Sequence, residues 1–572
     1  MKPWSWALLG VLLLARVPSL AQPAGADQGL YAYVGQRIAS GEFPYRDAWD
    51  QKPPAIHYTY ALMFALWPRD AVVAAADLLT AAAVAVLLVA LGRRMKGRLA
   101  DGGGGLAAIL FLLFGNPVYT RLGGVRIRSQ CETFIALAVA AAVLALVKSL
   151  GVGQDWAHGR RQDNLRWSLA AGCLLGIAFI YKYNALVYAA LVPAAVVWLL
   201  LRQPGADVET TTTERLVFSG LGFAIPTALM LALFGLAGAL PDLYEATVRY
   251  NLQYSGETYA GPAGFIRYLL TFPIGEARVD VLWLLGGAGC LVLLLTAGEN
   301  PAFLLAPMWT AVACLSIAIN GSRGLPQYFV QAAPALALSA GLAGALVWNR
   351  TIWPARVVLV ALVAIAAWRV TPFDKAIDYT LYDLKRLEGR TSEDVYLSRF
   401  GGERSAERAE KYLALDQAKL GALLQAKTSP TDKVLIFGFS SGAYVQAHRQ
   451  SASRFFWSRP VIVEFNAGKR GYGPQGLLDD LKASRPRLVV LQRNDWELEG
   501  IDSAGYFLKH GALSGWLRAE YEHAGELNVY DIWTRREARA SGLVSRPSDS
   551  WHKSRSAAPG WQGARSAHSG TM

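Results

Sequence analysis

Long apolar segments separated by short polar ones occupy the first 370 residues of the chain. A transmembrane helix needs about 20 mainly apolar residues, and about eleven segments approach that length. The first segment ends in small residues like a cleavable signal peptide, but the many segments that follow favour an uncleaved helix. The pattern therefore predicts a polytopic α-helical membrane protein with about eleven transmembrane helices. The segments centre on residues 4–20, 70–91, 104–119, 132–150, 167–181, 184–201, 216–239, 280–297, 301–319, 328–347 and 353–370.

The density of charged residues changes near Thr371. Asp, Glu, Lys and Arg make up 46 of residues 1–370, about 12%, and 53 of residues 371–572, about 26%. The second share is ordinary for a soluble domain, and the first is about half of it. These proportions exclude a purely soluble enzyme and a disordered protein. We expect a membrane domain over residues 1–370 and a soluble domain after it.

The C-terminal part has a pattern of its own. Residues 371–428 are mostly helical in pattern, and four short strands follow, with helical stretches between them. Alternating strands and helices predict a small α/β domain with a mainly parallel sheet over residues 371–534. Residues 535–572 are rich in Arg, Ser and Gly without periodicity, which predicts a disordered basic tail. The predicted strands are residues 434–437, 461–465, 488–491 and 527–532, and the predicted helices are 477–483 and 503–518.

Basic residues indicate how the chain crosses the membrane. Cytoplasmic loops carry an excess of Lys and Arg, and the clearest such loop is residues 93–98. With about eleven spans, the residues after 370 then lie outside the cytoplasm. We expect a multi-pass protein of the plasma (inner) membrane with an extracytoplasmic C-terminal domain. The predicted outer loops carry arginines as well, which suggests a bound anion there: Arg121, Arg126, Arg128, Arg249 and Arg323.

The net charge of +13 changes this picture little. Basic proteins often bind nucleic acid, but these cations are scattered, without a clustered stripe or a reader motif. We therefore expect no nucleic-acid partner; the lipid bilayer and a phosphate-bearing substrate fit the charge better. The four cysteines lack the spacing of a metal site, and we expect them to be small buried hydrophobes.

The longest loop between the early spans, residues 21–69, is predicted to be an outer loop with two helices. The first places Leu30, Tyr33 and Ile38 on one face, which is typical of a helix in the plane of the membrane interface. Pro53-Pro54 can open the second, at about residues 55–67, since proline fits the first turn of a helix.

This loop also holds the densest group of ionisable residues near the membrane surface. Asp27 begins the first helix, where its carboxylate could accept a proton from a hydroxyl nucleophile; a helix N-cap is the alternative. Lys52 precedes a helix start, an unfavourable place for a cation unless an anion binds there; a lysine that reaches toward the interface is the alternative. Asp50, two residues before Lys52, is a weaker candidate for substrate binding.

Three further candidates lie at the ends of later spans. Glu132 opens the span at 132–150, where a carboxylate is costly unless it is functional or paired, for example with Arg128. Lys182 and Arg323 lie at outer junctions, where each could face a phosphate or serve as a surface anchor.

These residues carry a resemblance to a known family. Three stretches of the first loop resemble that of GT-C membrane glycosyltransferases: Asp27-Gln28-Gly29-Leu30-Tyr31, Gly41-Glu42-Phe43-Pro44-Tyr45-Arg46-Asp47 and Asp50-Gln51-Lys52-Pro53-Pro54. The similarity is greatest to the branch of protein mannosyltransferases, aminoarabinose transferases and rhizobial lipopolysaccharide glycosyltransferases. Glu132, Lys182 and residues 323–329 match later patterns of the family, which are weak alone, whereas the first-loop motif is fairly specific. The resemblance covers roughly residues 1–535.

The resemblance implies an inverting hexosyl- or pentosyltransferase with a sugar donor on a polyprenyl phosphate. Asp27 matches the acid that acts as general base on the acceptor or orients it, and Glu132 matches the second acidic residue of the family. Lys52 would hold the departing lipid phosphate, with Arg323 or Lys182 assisting. The acceptor is expected in the cell envelope, as a lipid, a glycan or a protein. Arg249 and Tyr328 are weaker candidates for contact with substrate.

The chain also departs from the family pattern. Gln28 stands where the family usually has a second acidic residue, and Gln327 stands where it often has His. The missing carboxylate weakens a divalent-metal site, so no metal ligand is assigned and the cofactor is left open.

Two other functions fit parts of the sequence. Residues 438–442 form a G-x-S-x-G pattern around Ser440, followed by Asp495 and then His510 or His523 in the order of a serine hydrolase. The small size of the domain and the missing oxyanion segment argue against that function. A transporter or flippase of a lipid-linked saccharide is the other alternative, although the chain shows no internal repeat and its ionisable residues gather at the outer ends of the spans. The identities of sugar and acceptor stay open.

Overall fold

The computed structural model describes residues 3–95, 102–151, 161–202, 206–256, 258–298, 300–401, 413–495, 500 and 502–536. Residues 1–535 form one compact unit. Apart from Arg535 and Arg536, the predicted tail 535–572 lies outside the described residues, as do residues 96–98 of the predicted cytoplasmic loop.

The described part of the first 370 residues is mainly helical, because a helix satisfies the backbone groups of a long apolar run within the segment. Loops such as residues 40–54 and 125–130 lie between the helices. Short 3₁₀ helices at Val17–Ala21, Pro117–Tyr119, Arg121–Gly124, Tyr183–Ala190, Pro301–Leu304 and Val330–Ala332, and a π-helix at Glu245–Arg249, connect the longer helices. The α-helices are α1 Pro3–Leu14, α2 Ala26–Ala39, α3 Ala55–Leu66, α4 Ala71–Met95, α5 Gly103–Phe114, α6 Cys131–Ser149, α7 Arg161–Tyr181, α8 Leu191–Arg202, α9 Ala206–Leu236, α10 Leu240–Tyr244, α11 Tyr250–Gly256, α12 Gly261–Glu276, α13 Val281–Leu295, α14 Leu305–Ile319, α15 Pro326–Phe329, α16 Ala333–Arg350 and α17 Trp353–Val370.

Seven helices in the described part of the chain are long and apolar enough to cross a membrane, or up to nine if each of two bent pairs is one span. The bent pairs join Ser5–Ala21 to Ala26–Ala39 at 75° and Gly261–Glu276 to Val281–Leu295 at 111°. The protein is therefore a multi-pass membrane protein, as the sequence predicts, while the number eleven stays a prediction. The seven spans are Ala71–Met95, Cys131–Ser149, Asp163–Tyr181, Thr212–Leu236, Ala302–Ile319, Pro326–Arg350 and Trp353–Val370.

Small residues allow the closest helix contacts in the membrane part. A Cβ on Gly172 of α7 would lie 1.9 Å from the carbonyl oxygen of Ser219 in α9, and one on Gly222 would lie 2.1 Å from that of Leu169. Membrane helices commonly pack in this way, because lipid offers no hydrophobic drive for their association and close backbone approach supplies the contact.

The C-terminal part forms a mixed sheet covered by helices. The strand order is β2-β1-β3-β5-β4, in which β1 pairs in parallel with β2 and β3, and β5 pairs antiparallel with β3 and β4. Its elements are α18 Phe373–Leu387, α19 Glu393–Ser398, α20 Ala414–Lys427, β1 Lys433–Phe437, α21 Gly442–Ala447, β2 Gln450–Ser451, α22 Arg459–Ile462, α23 Gly473–Ser484, β3 Leu488–Gln492, α24 Ser503–Lys509, α25 Gly511–Glu520, β4 Tyr521–Leu527 and β5 Tyr530–Arg535.

Two predicted strands differ from the structure. Residues 461–465 form the end of the short helix α22 and a turn, because Phe465 packs against the rings of Trp49 and Tyr250 rather than beside another strand. The apolar run therefore reflects burial, not sheet pairing. Residues 527–532 span the turn between β4 and β5, so the predicted single strand is part of an antiparallel hairpin and the sheet is less parallel than expected.

Helix α2 lies between the membrane helices and the α/β domain. On one side, Tyr31 donates a hydrogen bond to Gln130, 3.1 Å away. On the other, the hydroxyl of Tyr33 accepts one from the backbone N–H of Ser451 at 2.8 Å. Gly29 meets Gly442 so closely that a Cβ on it would lie 2.8 Å from the backbone nitrogen of Gly442. The helix is thus buried on almost every side by protein, and its position is fixed from both directions.

Replacing Gly29 by alanine tests this docking. We expect Gly29→Ala to lower the free energy of unfolding by about 1–3 kcal/mol, because the new methyl group meets backbone that cannot rotate away. Gly515→Ala is the control, since a Cβ on that helical residue of α25 has nothing within 4 Å. Thermal unfolding of both purified variants in detergent measures the difference. Equal midpoints for Gly29→Ala and wild type would contradict the close contact.

Candidate functional site

A cavity of about 400 Å³ lies where α2 begins, between the membrane helices and the α/β domain. The start of α2, three later segments of the membrane part and Tyr254 of α11 form its walls, together with the segments that follow β1 and β2 in the α/β domain. Asp27 and Asp50 are the two carboxylates among its described lining residues. The cations in the same lining outnumber them, and so the cavity is electropositive: Lys52, Arg121, Arg126, Arg323 and Arg459.

Asp27 is in the first turn of α2, where the positive end of the helix favours a carboxylate. The N-cap position is Gly25, and no side chain caps the helix. Within the described part of the chain, the Asp27 carboxylate has no hydrogen-bond partner, and it lines the cavity. Its side chain therefore does not act as the helix N-cap, the alternative that the sequence offers.

Asp50 and Lys52 enter the cavity from the loop before α3. Asp50 is buried, with 1% of its surface exposed. One of its carboxylate oxygens accepts a hydrogen bond from the backbone N–H of Gln51 at 2.7 Å. The other oxygen lies 3.3 Å from Nε2 of His57. Burial raises the pKa of Asp50 to about 7. Burial opposes the charge of Lys52, but the ionisable groups around it raise its pKa. Lys52 is thus a cation throughout the physiological range.

Glu132 and Lys182 form an ion pair behind the cavity wall. Nζ of Lys182 lies 2.6 Å from the carboxylate of Glu132, which is in the first turn of α6. The same nitrogen lies 4.4 Å from the ring centroid of Tyr328, and Tyr328 lines the cavity. Arg128, an alternative partner for Glu132 in the sequence, instead lies 3.3 Å from Asp77. Neither Glu132 nor Lys182 is among the described lining residues.

Arg323 lies in the cavity lining, whereas Arg249 lies outside it. Arg323 lines the cavity and lies over the ring of Tyr254, with 3.6 Å from its Cζ to the ring centroid. Arg249 is on the π-helix, where it lies 3.3 Å from Glu245 with 56% of its side chain exposed. It does not line the cavity.

The cavity is also lined by residues for which the sequence predicts no individual role. The sequence indicates Arg121 and Arg126 only as members of a group of arginines in the predicted outer loops. Phe439, Trp457 and Arg459 come from the α/β domain and line the cavity as well. Only the three-dimensional docking of the two parts brings these last three to the site.

A second pocket of about 240 Å³ adjoins the cavity, and its lining combines apolar side chains with Arg16, Asp77, Glu276 and Asp280. The two spaces share Thr120, Ile127 and Pro326. Phe111 and Phe329 are among the apolar residues that line the second pocket.

The residues of the cavity do not suit a divalent cation. Hard cations prefer several oxygen ligands, whereas the cavity offers two carboxylates among a larger number of cations. The side-chain nitrogen of Gln28 donates to the carbonyl oxygens of Val125 and Arg128, at 2.9 and 2.8 Å, so this residue ties two segments together. Among the described residues, the metal-compatible group is elsewhere, on the β4–β5 hairpin: His523, Glu526 and Asp531.

The G-x-S-x-G segment does not have the arrangement of a hydrolase. Ser440 is 4% exposed, and its hydroxyl lies 2.7 Å from the hydroxyl of Tyr530 and 3.0 Å from the side-chain oxygen of Gln492. Asp495 accepts two hydrogen bonds from Ser503. The described partners of Ser440 include no histidine, so these residues build the domain rather than a nucleophile site.

No family model and no curated protein sequence matches this chain. Solved structures share its fold. ArnT from Cupriavidus metallidurans, bound to undecaprenyl phosphate, is 16% identical, with a TM-score of 0.59 over 93% of this chain and 97% of ArnT. The archaeal oligosaccharyltransferase AglB from Archaeoglobus fulgidus, in complex with an inhibitory peptide and a dolichol-phosphate, is 12% identical, with a TM-score of 0.51 over 94% of this chain and 74% of AglB.

Both solved structures are GT-C glycosyltransferases. At identities this low, the likeness concerns the fold, and it agrees with the resemblance in the first loop. The chain has the GT-C fold.

Proposed function

We propose that the protein is an integral-membrane glycosyltransferase that moves a sugar from a polyprenyl-phosphate donor to an acceptor of the cell envelope. The observation that carries the proposal is the cavity in which Asp27, with no hydrogen-bond partner among the described residues, lies among Lys52, Arg126 and Arg323. A base beside an excess of cations is what transfer from a phosphate leaving group requires.

In this mechanism, Asp27 accepts the proton of an acceptor hydroxyl. The hydroxyl oxygen attacks the anomeric carbon of the donor, and the bond from that carbon to the phosphate oxygen breaks on the opposite face, so the configuration inverts. The electron pair leaves on the lipid phosphate. Lys52 stabilises that developing charge, with Arg126 and Arg323 nearby, and such preorganised charges act strongly where water is excluded.

Glu132 and Lys182 have a positioning role in this proposal. Their ion pair lies against Tyr328, so it holds one wall of the cavity and adds little net charge. Glu132 is then a partner for Lys182 rather than a second base, and the direct phosphate contact falls to Lys52.

The apolar side chains of the adjoining pocket, among them Phe111 and Phe329, suit the lipid part of the donor. An isoprenoid chain in this pocket would place its phosphate at the shared residues, next to Arg121 and Arg126. A donor reached from the membrane needs no nucleotide-binding glycine loop. By the orientation that the sequence predicts, the acceptor arrives from outside the cytoplasm, where we also place the α/β domain.

The first prediction concerns Asp27. We expect Asp27→Asn to lower the transfer rate about 100- to 10,000-fold, because the amide cannot accept the proton. The measurement is transfer of radiolabelled sugar from polyprenyl-phosphate donors by the protein in proteoliposomes. Asp47→Asn is the control, since Asp47 belongs to the same loop but pairs with Arg46 outside the cavity.

Three results of that assay would count against the assignment. Full activity of Asp27→Asn would show that Asp27 is not the catalytic base. Movement of labelled donor across the bilayer without transfer in the wild-type protein would favour a transporter or flippase. Loss of transfer in Ser440→Ala, with folding intact, would revive the hydrolase alternative.

The second prediction concerns pH. Below its raised pKa of about 7, Asp50 is protonated and neutral, so the cavity is more positive at pH 6 than at pH 8. Sulfate, whose charge is constant over this range, should therefore bind several-fold more tightly at pH 6. Equilibrium binding of labelled sulfate to the purified protein measures this. Asp50→Asn should flatten the dependence and Asp47→Asn should keep it; the same slope in Asp50→Asn would contradict the role of Asp50.

A further inference from the structure

Arg459 of the α/β domain is held in a defined place above the cavity. It is the first residue of α22, directly after Trp457 and Ser458. The indole N–H of Trp457 donates to the carbonyl oxygen of Trp49 at 3.1 Å. The backbone N–H of Ser458 donates to the carbonyl oxygen of Gly438 at 3.1 Å. Because these bonds tie the preceding residues to the first outer loop and to the end of β1, Arg459 reaches the cavity from a rigid support.

Arg459 meets Arg323 of the membrane part at one aromatic ring. Cζ of Arg323 lies 3.6 Å from the ring centroid of Tyr254, and Cζ of Arg459 lies 5.7 Å from it. One guanidinium nitrogen of Arg323 also donates to the carbonyl oxygen of Tyr254 at 3.3 Å. All three residues line the cavity.

The electrostatics of this group favour an oxyanion. Burial lowers the pKa of Arg323, and the charge of Arg459 lowers it further, so the two cations destabilise one another. The tyrosine ring offsets part of this cost through cation–π attraction. An oxyanion offsets more, since guanidinium groups bind phosphate and carboxylate oxygens with paired hydrogen bonds.

We propose that Arg323 and Arg459 form an oxyanion subsite around Tyr254, to which the membrane part and the α/β domain each contribute one arginine. The subsite takes a phosphate or carboxylate group of a substrate, either the lipid phosphate of the donor or an acidic group of the acceptor. This inference rests on the proposed function for the identity of those substrates. It makes Arg459 a substrate-binding residue and the α/β domain a part of the transferase site.

Sulfate binding to the full-length protein in detergent tests the subsite without any transfer reaction. We expect Arg459→Gln to weaken sulfate binding about tenfold or more, because a charged hydrogen-bond donor is lost. Arg459→Lys, which keeps the charge, should recover part of the affinity. Arg470→Gln is the control, since Arg470 is an exposed cation of the same domain that lines a separate outer cleft.

Unchanged sulfate affinity in Arg459→Gln would overturn the subsite, and so would an Arg459→Lys protein that binds as weakly as Arg459→Gln. Arg323→Gln tests the arginine that the membrane part contributes to the subsite. This variant provides the test of the subsite if Arg459→Gln fails to fold. Equal affinity of Arg323→Gln and wild type would also overturn the proposal.

Kinetic measurements identify which substrate supplies the oxyanion. A KM for the polyprenyl-phosphate donor that rises in Arg459→Gln, with kcat little changed, assigns the subsite to the donor. A rise in the KM for the acceptor assigns it to the acceptor. Wild-type protein that binds sulfate through Arg459 but transfers no sugar would refute the proposed function and leave the oxyanion subsite standing.

Discussion

The excess of positive charge in one cavity between the membrane helices and the α/β domain is the constraint around which this structure is arranged. Like charges repel strongly where water is scarce, so cations brought together there raise the free energy of the empty site. An oxyanion relieves that repulsion, and a phosphate on a lipid can arrive from the membrane itself. Asp27 and Asp50 offset only part of the charge, and Asp50 loses its own charge near neutral pH because it is buried.

The fold positions these charges by fixing the first outer loop on both sides. Helix α2 contacts the membrane part through Tyr31 and the α/β domain through Gly29 and Tyr33. Trp49 lies in the same loop, and its backbone exchanges hydrogen bonds with Arg454 and Trp457. Asp27 and Lys52, which we propose as base and phosphate ligand, are then held on one loop that is fixed from both sides. The α/β domain is therefore part of the construction of the site rather than a separate appendage.

The sequence predicts most of the architecture, because a long run of apolar residues is a strong indication of a membrane-spanning helix. Seven described spans coincide with predicted segments, whereas the segment at 104–119 forms the shorter helix α5 of 12 residues and the one at 184–201 breaks into a 3₁₀ helix and α8. The strand at 434–437 is confirmed by β1, and the strand at 488–491 by β3. The predicted strand at residues 461–465 is wrong, because residues buried against Trp49 have the same apolar pattern as a strand.

Five of the residues that the sequence predicts for the site line the cavity, three of them in one loop and two, Arg323 and Tyr328, at a later junction. Asp27, Asp50 and Lys52 lie within a single loop, and they line one cavity. The pairing of Glu132 with Lys182 joins residues 50 positions apart, and no local pattern indicates it. Arg459 is more than 400 residues from the first loop, and it reaches the cavity only because the α/β domain packs against the membrane part. Long-range contacts of this kind depend on tertiary packing, which spacing along the chain does not encode.

The most direct test of the account is an experimental structure of the full-length protein in lipid nanodiscs with undecaprenyl phosphate. We expect the phosphate in the cavity, beside Lys52 and Arg126 and within reach of Asp27, and the isoprenoid chain in the adjoining pocket that shares Thr120 and Ile127. A phosphate bound at another face of the membrane part, with this cavity closed to the lipid, would contradict it.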